Sequence, residues 1–243
     1  MTEIGYLSLS LALLLGVGGA VSPLGTVLLP HISALAGRND TRAVGERLHL
    51  LIGAVVQVYL FATFQFLAFG EFLIRFWMGA AFLPAVTVTT IILASLPFFG
   101  FYCATRSVLD AISTRPINSV NTVISLLVLL GIIFVTLRWR MGWNLAEMFA
   151  VACSVAIAVL GTLTYLALRA IFPQHRGQDA RHAFWGLTLS GGLFLLSVAA
   201  RPEVTSSLLV FAAYELCIFS LYVWALHLLQ FEWTRIIFRK GPS

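Results

Sequence analysis

The alternation of apolar and polar positions divides the chain into seven apolar runs, at 4–36, 48–76, 84–111, 117–137, 145–171, 183–200 and 206–230. Most reach the roughly twenty apolar residues that carry a helix across a bilayer, and the first three exceed it. The sixth is the shortest and would need the least tilt. Between them lie polar junctions: Gly37-Arg38-Asn39-Asp40, Ser113-Thr114-Arg115-Pro116, Pro173 to Asp179, and Arg201-Pro202-Glu203. The pattern predicts an all-α, polytopic membrane helix bundle of about seven transmembrane helices.

Composition agrees. Of 243 residues, 60% are hydrophobic and 10% charged, where a soluble domain of this size carries about 25% charged residues. The mean hydropathy is +0.95. The net charge of +5 comes from fifteen basic residues placed between apolar runs. That placement points to lipid headgroups and membrane orientation rather than to nucleic acid. Eleven of the fifteen fall in the connections after the first, third, fifth and seventh runs, and four in the others. The positive-inside bias therefore puts the odd connections and the C-terminus in the cytoplasm, with the N-terminus outside. The opening Met1-Thr2-Glu3-Ile4-Gly5 carries no basic residue and no signal-peptide cleavage pattern. An outside N-terminus of this kind fits a chain that follows an upstream membrane segment, so part of a larger transporter is expected.

Two runs contain helix breakers. The first holds Pro23 and Pro30 with Gly16, Gly18, Gly19 and Gly25, followed by His31 and a charged stop from Arg38. A proline frees a carbonyl four residues back, which in lipid must face a partner helix or a watery cavity. Interrupted helices of this kind flank transporter pathways, though a static kink filled by packing is the plainer alternative. The third run carries Pro97-Phe98-Phe99-Gly100 near its middle, then Arg106 and Asp110 one turn apart. Arg106 could fork onto a phosphate group, or pair with Asp110, or reach headgroups. Glu215 sits near the middle of the seventh run, where a carboxylate is expensive and is either functional or a neutral, hydrogen-bonded acid.

Other features read as packing. Ala146, Ala150, Ser154, Ala158 and Thr162, four apart, form a ridge that lets another helix approach closely. Cys103, Cys153 and Cys217 are scattered and read as small buried hydrophobes. Trp77, Trp139, Trp143, Trp185 and Trp233 lie near expected helix ends, as interfacial anchors do. No catalytic, metal-binding or cofactor motif stands out, so neither an enzyme nor a cofactor is expected.

Several fragments, in order, resemble the C-terminal part of the polysaccharide and lipid-linked oligosaccharide flippases, in the multidrug/oligosaccharidyl-lipid/polysaccharide exporter superfamily. They are Ile4-Gly5-Tyr6-Leu7-Ser8-Leu9, Val27 to Leu35, Phe72 to Gly79 with Phe82-Leu83-Pro84-Ala85, and Val108 to Pro116. The resemblance covers the first half of the chain; residues 140–243 match in hydropathy alone. It implies a C-terminal flippase lobe of five transmembrane helices over 1–172. Two further helices and a basic cytoplasmic tail would follow over 173–243. It implies transport of a polyprenyl diphosphate-linked oligosaccharide across the cytoplasmic membrane, with an N-terminal lobe and membrane lipids as partners. It would place Pro23, Pro30, His31, Pro97, Arg106 and Glu215 along the substrate path or its gates. Departures from the family pattern fall at His31, Asp110 and Ser113-Thr114. Two other classes stay open: a membrane enzyme acting on lipid-linked sugars, and an assembly subunit that only packs against partners.

Overall fold

The computed structural model describes residues 3–20, 30, 34, 41–113, 115–139, 144–173 and 176–229. Among these residues it is all helical. The helices are α1 (Glu3–Gly19), α2 (Thr41–Met78), α3 (Ala85–Leu93), α4 (Leu96–Ile112), α5 (Ile117–Trp139), α6 (Leu145–Ile171), α7 (Arg176–Val204) and α8 (Leu208–Leu228). A 3-10 turn, Ala80–Phe82, follows Gly79, whose φ of 88° is open to glycine without strain. Among the described residues five helices, α2 and α5 to α8, are long and apolar enough to cross a membrane, and α3 with α4 together form a bent apolar pair, a broken span or a re-entrant loop. The chain is thus a multi-pass membrane helix bundle. The first expected span is described only through α1.

Side-chain pairings fix the direction of α1, α2, the α3–α4 pair, α6, α7 and α8. Tyr6 meets Phe82, Ser10 bonds Thr89 and Gly18 abuts Phe99, so α1 runs parallel to the α3–α4 pair. Thr63 donates to the Leu93 carbonyl and Tyr59 covers Gly100, so α2 runs against that pair. Ser154 donates to the Ile91 carbonyl, Gly161 touches Phe98 and Tyr165 meets Phe101, so α6 runs with it. His49 pairs with Asp179 and Glu71 with Arg201, which makes α7 parallel to α2. Phe69 against Phe211 and Phe61 against Tyr222 turn α8 back again. The Ser125 hydroxyl donates to the Ala156 carbonyl at 2.6 Å and ties α5 to α6. Successive spans alternate in direction, as the charge pattern requires of a serpentine membrane chain.

Three expectations change. The third run is not one helix kinked near its middle. It breaks at Ala94–Ser95 into α3 and α4, which meet at 48°. Pro97 stands in the first turn of α4, where its missing N–H costs nothing, so it starts a helix rather than bending one. The sixth run is not the shortest: α7 covers 29 residues. Its polar first turns extend the helix because Asp179 and His182 are buried against α2. That extension carries Trp185 away from a helix end, and its ring packs half-buried beside Leu189 and α8. Third, Cys217 is exposed on α8, in contrast to buried Cys103.

The small ridge of α6 behaves as expected in the first turns of the helix. Ala146 and Ala150 are buried in the main core with Leu14, Val55, Tyr59, Val88, Ile92 and Leu96. By contrast α5 and α8 leave large apolar side chains exposed, among them Phe134 at 70% and Leu209 at 82%. In water these faces would be a liability; against acyl chains they are the lipid-facing surface of the bundle.

Candidate functional site

A cavity of about 610 Å³ opens between α2, the α3–α4 break, α6 and α7. Its wall is apolar: Ile52, Val56, Leu60, Phe64 and Leu67 from α2 face Pro97, Phe98 and Phe101 from α4, with Gly161 and Thr162 of α6 and Ala183 and Leu187 of α7. Along α2 these positions span roughly 22 Å at 1.5 Å per residue. Leu67, Phe98 and Leu187 are 41%, 41% and 51% exposed, so the cavity is a groove open on one flank toward the lipid side.

The break builds this groove. Gly161 lets α6 approach the Phe98 backbone so closely that a Cβ there would lie 2.9 Å from the Phe98 carbonyl oxygen. Gly186 likewise admits the Gln57 side chain, at 2.7 Å from where its Cβ would stand. Gly161 lines the groove, so the first approach sets its width there, while the second draws α7 onto α2 behind it.

One end of the groove closes on Asp179 and Tyr165. Behind them lies a buried cluster of charge. Asp179, at the start of α7, is bridged by two elements. His49 Nδ1 of α2 lies 2.9 Å from Asp179 Oδ1, and the Arg169 guanidinium of α6 pairs with Asp179 Oδ2. The side chains of His49, Arg169 and Asp179 are 3%, 1% and 7% exposed. Arg169 also donates to the Phe172 carbonyl and lies over the Tyr165 ring, 5.6 Å from its centre. The His182 ring stacks on His49 with centres 4.8 Å apart. Three helices therefore converge on a single carboxylate, held by charge-assisted contacts in a dry setting.

Polar groups continue from this cluster along the α2–α7 seam. Gln57 Nε2 donates to the His182 carbonyl at 2.5 Å, and the Tyr222 hydroxyl of α8 donates to Gln57 Oε1 at 2.7 Å. Ser190 donates to the Tyr222 hydroxyl. Two turns further on, Ser197 donates to Gln65 Oε1 at 3.0 Å and receives a bond from Tyr214. The far end is the Arg201–Glu71 pair at 2.5 Å, half exposed and of small energetic weight. Hydrogen bonds of this kind hold membrane helices in register, at about 0.6 kcal/mol each on average.

The sequence-derived site residues are dispersed over this frame. Pro97 lines the groove. Pro30 is exposed, and Pro23 and His31 lie outside the described residues. Glu215, on α8, is half-buried, with Oε1 shielded from solvent and without a hydrogen-bond partner among the described residues. It is not part of the groove lining. Arg106 is exposed and lies away from the groove. Of the alternatives open to Arg106, the pair with Asp110 is not formed among the described residues, and Asp110 is engaged otherwise. Asn118 Nδ2 of α5 donates to Asp110 Oδ1 at 2.7 Å and to the Arg106 carbonyl at 2.8 Å, stapling the α4–α5 turn. The neutral amide reaches both acceptors at once, which a flexible guanidinium one turn away does not. Arg106→Ala should accordingly change thermal stability by less than about 0.5 kcal/mol, as for an exposed charge. Asn118→Ala should cost about 1 kcal/mol, since it removes two exposed hydrogen bonds across the turn. Thermal unfolding of the two variants in lipid nanodiscs checks the order.

The cluster of His49, Arg169, Asp179 and His182 is the feature that reading the sequence missed. His49 and Asp179 stand 130 residues apart. The one available signal was the density of polar residues ahead of the sixth run, which reads equally well as a loop.

Comparison with family models, with curated proteins and with solved structures finds no match to this chain.

Proposed function

We propose that the chain is a transporter lobe that moves a lipid-linked oligosaccharide across the cytoplasmic membrane, with its N-terminus outside and its C-terminus in the cytoplasm. The observation that carries this reading is the laterally open, apolar groove at a broken span, closed at one end by buried charge. A long isoprenoid tail needs an apolar channel reachable from the bilayer, and the polar head needs a different environment beyond its end. The groove supplies the first on the lipid side, where Leu67, Phe98 and Leu187 form its open flank. The break between α3 and α4 supplies a joint at which one wall can move relative to the other, as discontinuous helices do in transporters. The cytoplasmic placement of the charged end follows from the excess of basic residues in the odd connections.

Proteoliposomes holding the full chain and a fluorescent polyprenyl diphosphate sugar test the reading. The chain should bring inner-leaflet label to the outer leaflet at least tenfold faster than empty liposomes. Leaflet exchange no faster than in empty liposomes, with the chain inserted and folded, would count against a transport role. Topology is checked separately. Cysteine placed at Arg115, between α4 and α5, should react with a membrane-impermeant maleimide only after lysis, and cysteine at Glu203 should react in intact cells.

A further inference from the structure

We propose that α2, α7 and α8 hold a bound water molecule in the middle of the bundle, seated between the Gln65 amide and the Glu215 carboxyl. The site lies off the groove and does not depend on the transport reading.

The register of α2 against α8 sets these two residues opposite one another. Phe61 meets Phe219 with ring centres 5.3 Å apart, and Phe69 meets Phe211 at the same separation. The two helices run in opposite directions, so the residue midway between the α2 rings opposes the residue midway between the α8 rings. Those residues are Gln65 and Glu215. Each stands four positions from both neighbouring rings and so shares their face of its helix. The ring pairs lie about 6 Å above and below, at 1.5 Å per residue. Glu215 is near the centre of α8, which places this level deep in the bilayer.

At this level each side chain carries one shielded polar atom that the fold leaves open. Gln65 is 6% exposed; its Oε1 receives the Ser197 hydroxyl at 3.0 Å, and its Nε2 has no hydrogen-bond partner among the described residues. Glu215 Oε1 has none there either, so the two are not bonded to each other. Their neighbours are committed or apolar. The Tyr214 hydroxyl is given to Ser197, Arg201 is held by Glu71, and phenyl rings close the site above and below. Acyl chains offer neither donor nor acceptor.

Water meets both demands. Its oxygen accepts from the amide N–H, and its hydrogen is given to the carboxyl oxygen, which accepts in either charge state. It also fits the amide turned over, with Nε2 donating to Ser197, because water then donates to both the Gln65 and Glu215 oxygens. A cation fits only the second orientation. A bridging water is enthalpically nearly as good as a direct bond. It closes a ring of hydrogen bonds through three helices: Tyr214 of α8 to Ser197 of α7, Ser197 to Gln65 of α2, and Gln65 through water to Glu215 of α8. The polar hold of α8 on α2 at this depth thus passes through a ligand.

Solid-state NMR of the full chain in nanodiscs, with isotope-labelled glutamine, reads contacts between side-chain amide protons and water. Gln65→Met assigns the Gln65 signal by its loss. A water contact is expected at the Gln65 amide. Gln57, whose amide nitrogen and oxygen are both engaged within the protein, is the control in the same spectrum and should show none. Glu215→Gln keeps a carbonyl oxygen, so the Gln65 contact should persist. Glu215→Leu removes both oxygens and should lose it, with the Gln57 signal unmoved as a sign that the α2–α7 seam is intact. No water contact at Gln65 in the parent chain or in Glu215→Gln would overturn the proposal. So would a contact undiminished in a folded Glu215→Leu chain, or magnetisation transfer showing the Gln65 amide bonded directly to the Glu215 carboxyl.

Discussion

Gly100→Ala is expected to be among the most destabilising single substitutions in the bundle. A Cβ at this position would lie 1.8 Å from Tyr59 Cε2 and 2.1 Å from Cδ2, so the ring must leave. Tyr59 is 2% exposed, and its hydroxyl donates to the Gly18 carbonyl at 2.7 Å and the Val17 carbonyl at 3.1 Å, at the end of α1. Moving the ring breaks the packing of α2 on α4 and takes the hydroxyl donor from the Gly18 carbonyl, while the Val17 carbonyl keeps the Ala20 N–H. Overpacking alone costs about 1–3 kcal/mol, and an orphaned carbonyl adds about 1–3 kcal/mol, so a loss of about 3 kcal/mol is expected. Tyr59→Phe, which gives up the hydroxyl alone, should cost about 1–2 kcal/mol. Unfolding in nanodiscs separates them. A Gly100→Ala chain as stable as the parent would mean that α2 and α4 do not approach this closely.

Asp179→Ala is the second large effect. It leaves the Arg169 guanidinium, 1% exposed, without its counterion, and removes the acceptor of His49. Breaking a buried pair from one side costs about 3–5 kcal/mol. Replacing both ions by apolar residues of similar size, as in Arg169→Met with Asp179→Leu, is often neutral or stabilising. The double variant should therefore fold better than Asp179→Ala. Equal damage in the single and double variants would show that the ions themselves, rather than an uncompensated charge, hold the three helices.

The membrane spans were legible because hydropathy and length decide them locally. Helix α6 begins and ends where the apolar run does, at Leu145 and Ile171. The helical ridge of Ala146 and Ala150 was readable for the same reason, since residues four apart share a face whatever packs there. The break at Ala94–Ser95 was not. Pro97 signals a disruption, yet whether it kinks one helix or opens another depends on Ser95, which bonds back to the Ile92 carbonyl, and on α6 pressing at Phe98. The extent of α7 was hidden because Asp179 and His182 look like loop residues until α2 supplies their partners. Arg106 and Asp110 looked like a pair because spacing on one helix is visible in sequence, and the competing amide of Asn118 on the next helix is not. Among the described residues, Pro97 is the one expected site residue that reaches the groove; its other walls come from four helices whose apposition is a tertiary fact.

The central claim is that the groove receives the tail of a lipid-linked sugar, and site-specific photo-crosslinking tests it most directly. Benzoylphenylalanine replaces Leu187, in the groove, or Leu130, on the outer face of α5; the two are 51% and 53% exposed, so exposure does not distinguish them. After irradiation in nanodiscs doped with a polyprenyl diphosphate sugar, adducts are read by mass spectrometry. The Leu187 position is expected to capture the polyprenyl lipid at least several-fold above its share of the bilayer, and the Leu130 position to capture lipids in proportion to their abundance. Proportional capture at both positions would contradict the account and leave the groove an ordinary part of the lipid-facing surface.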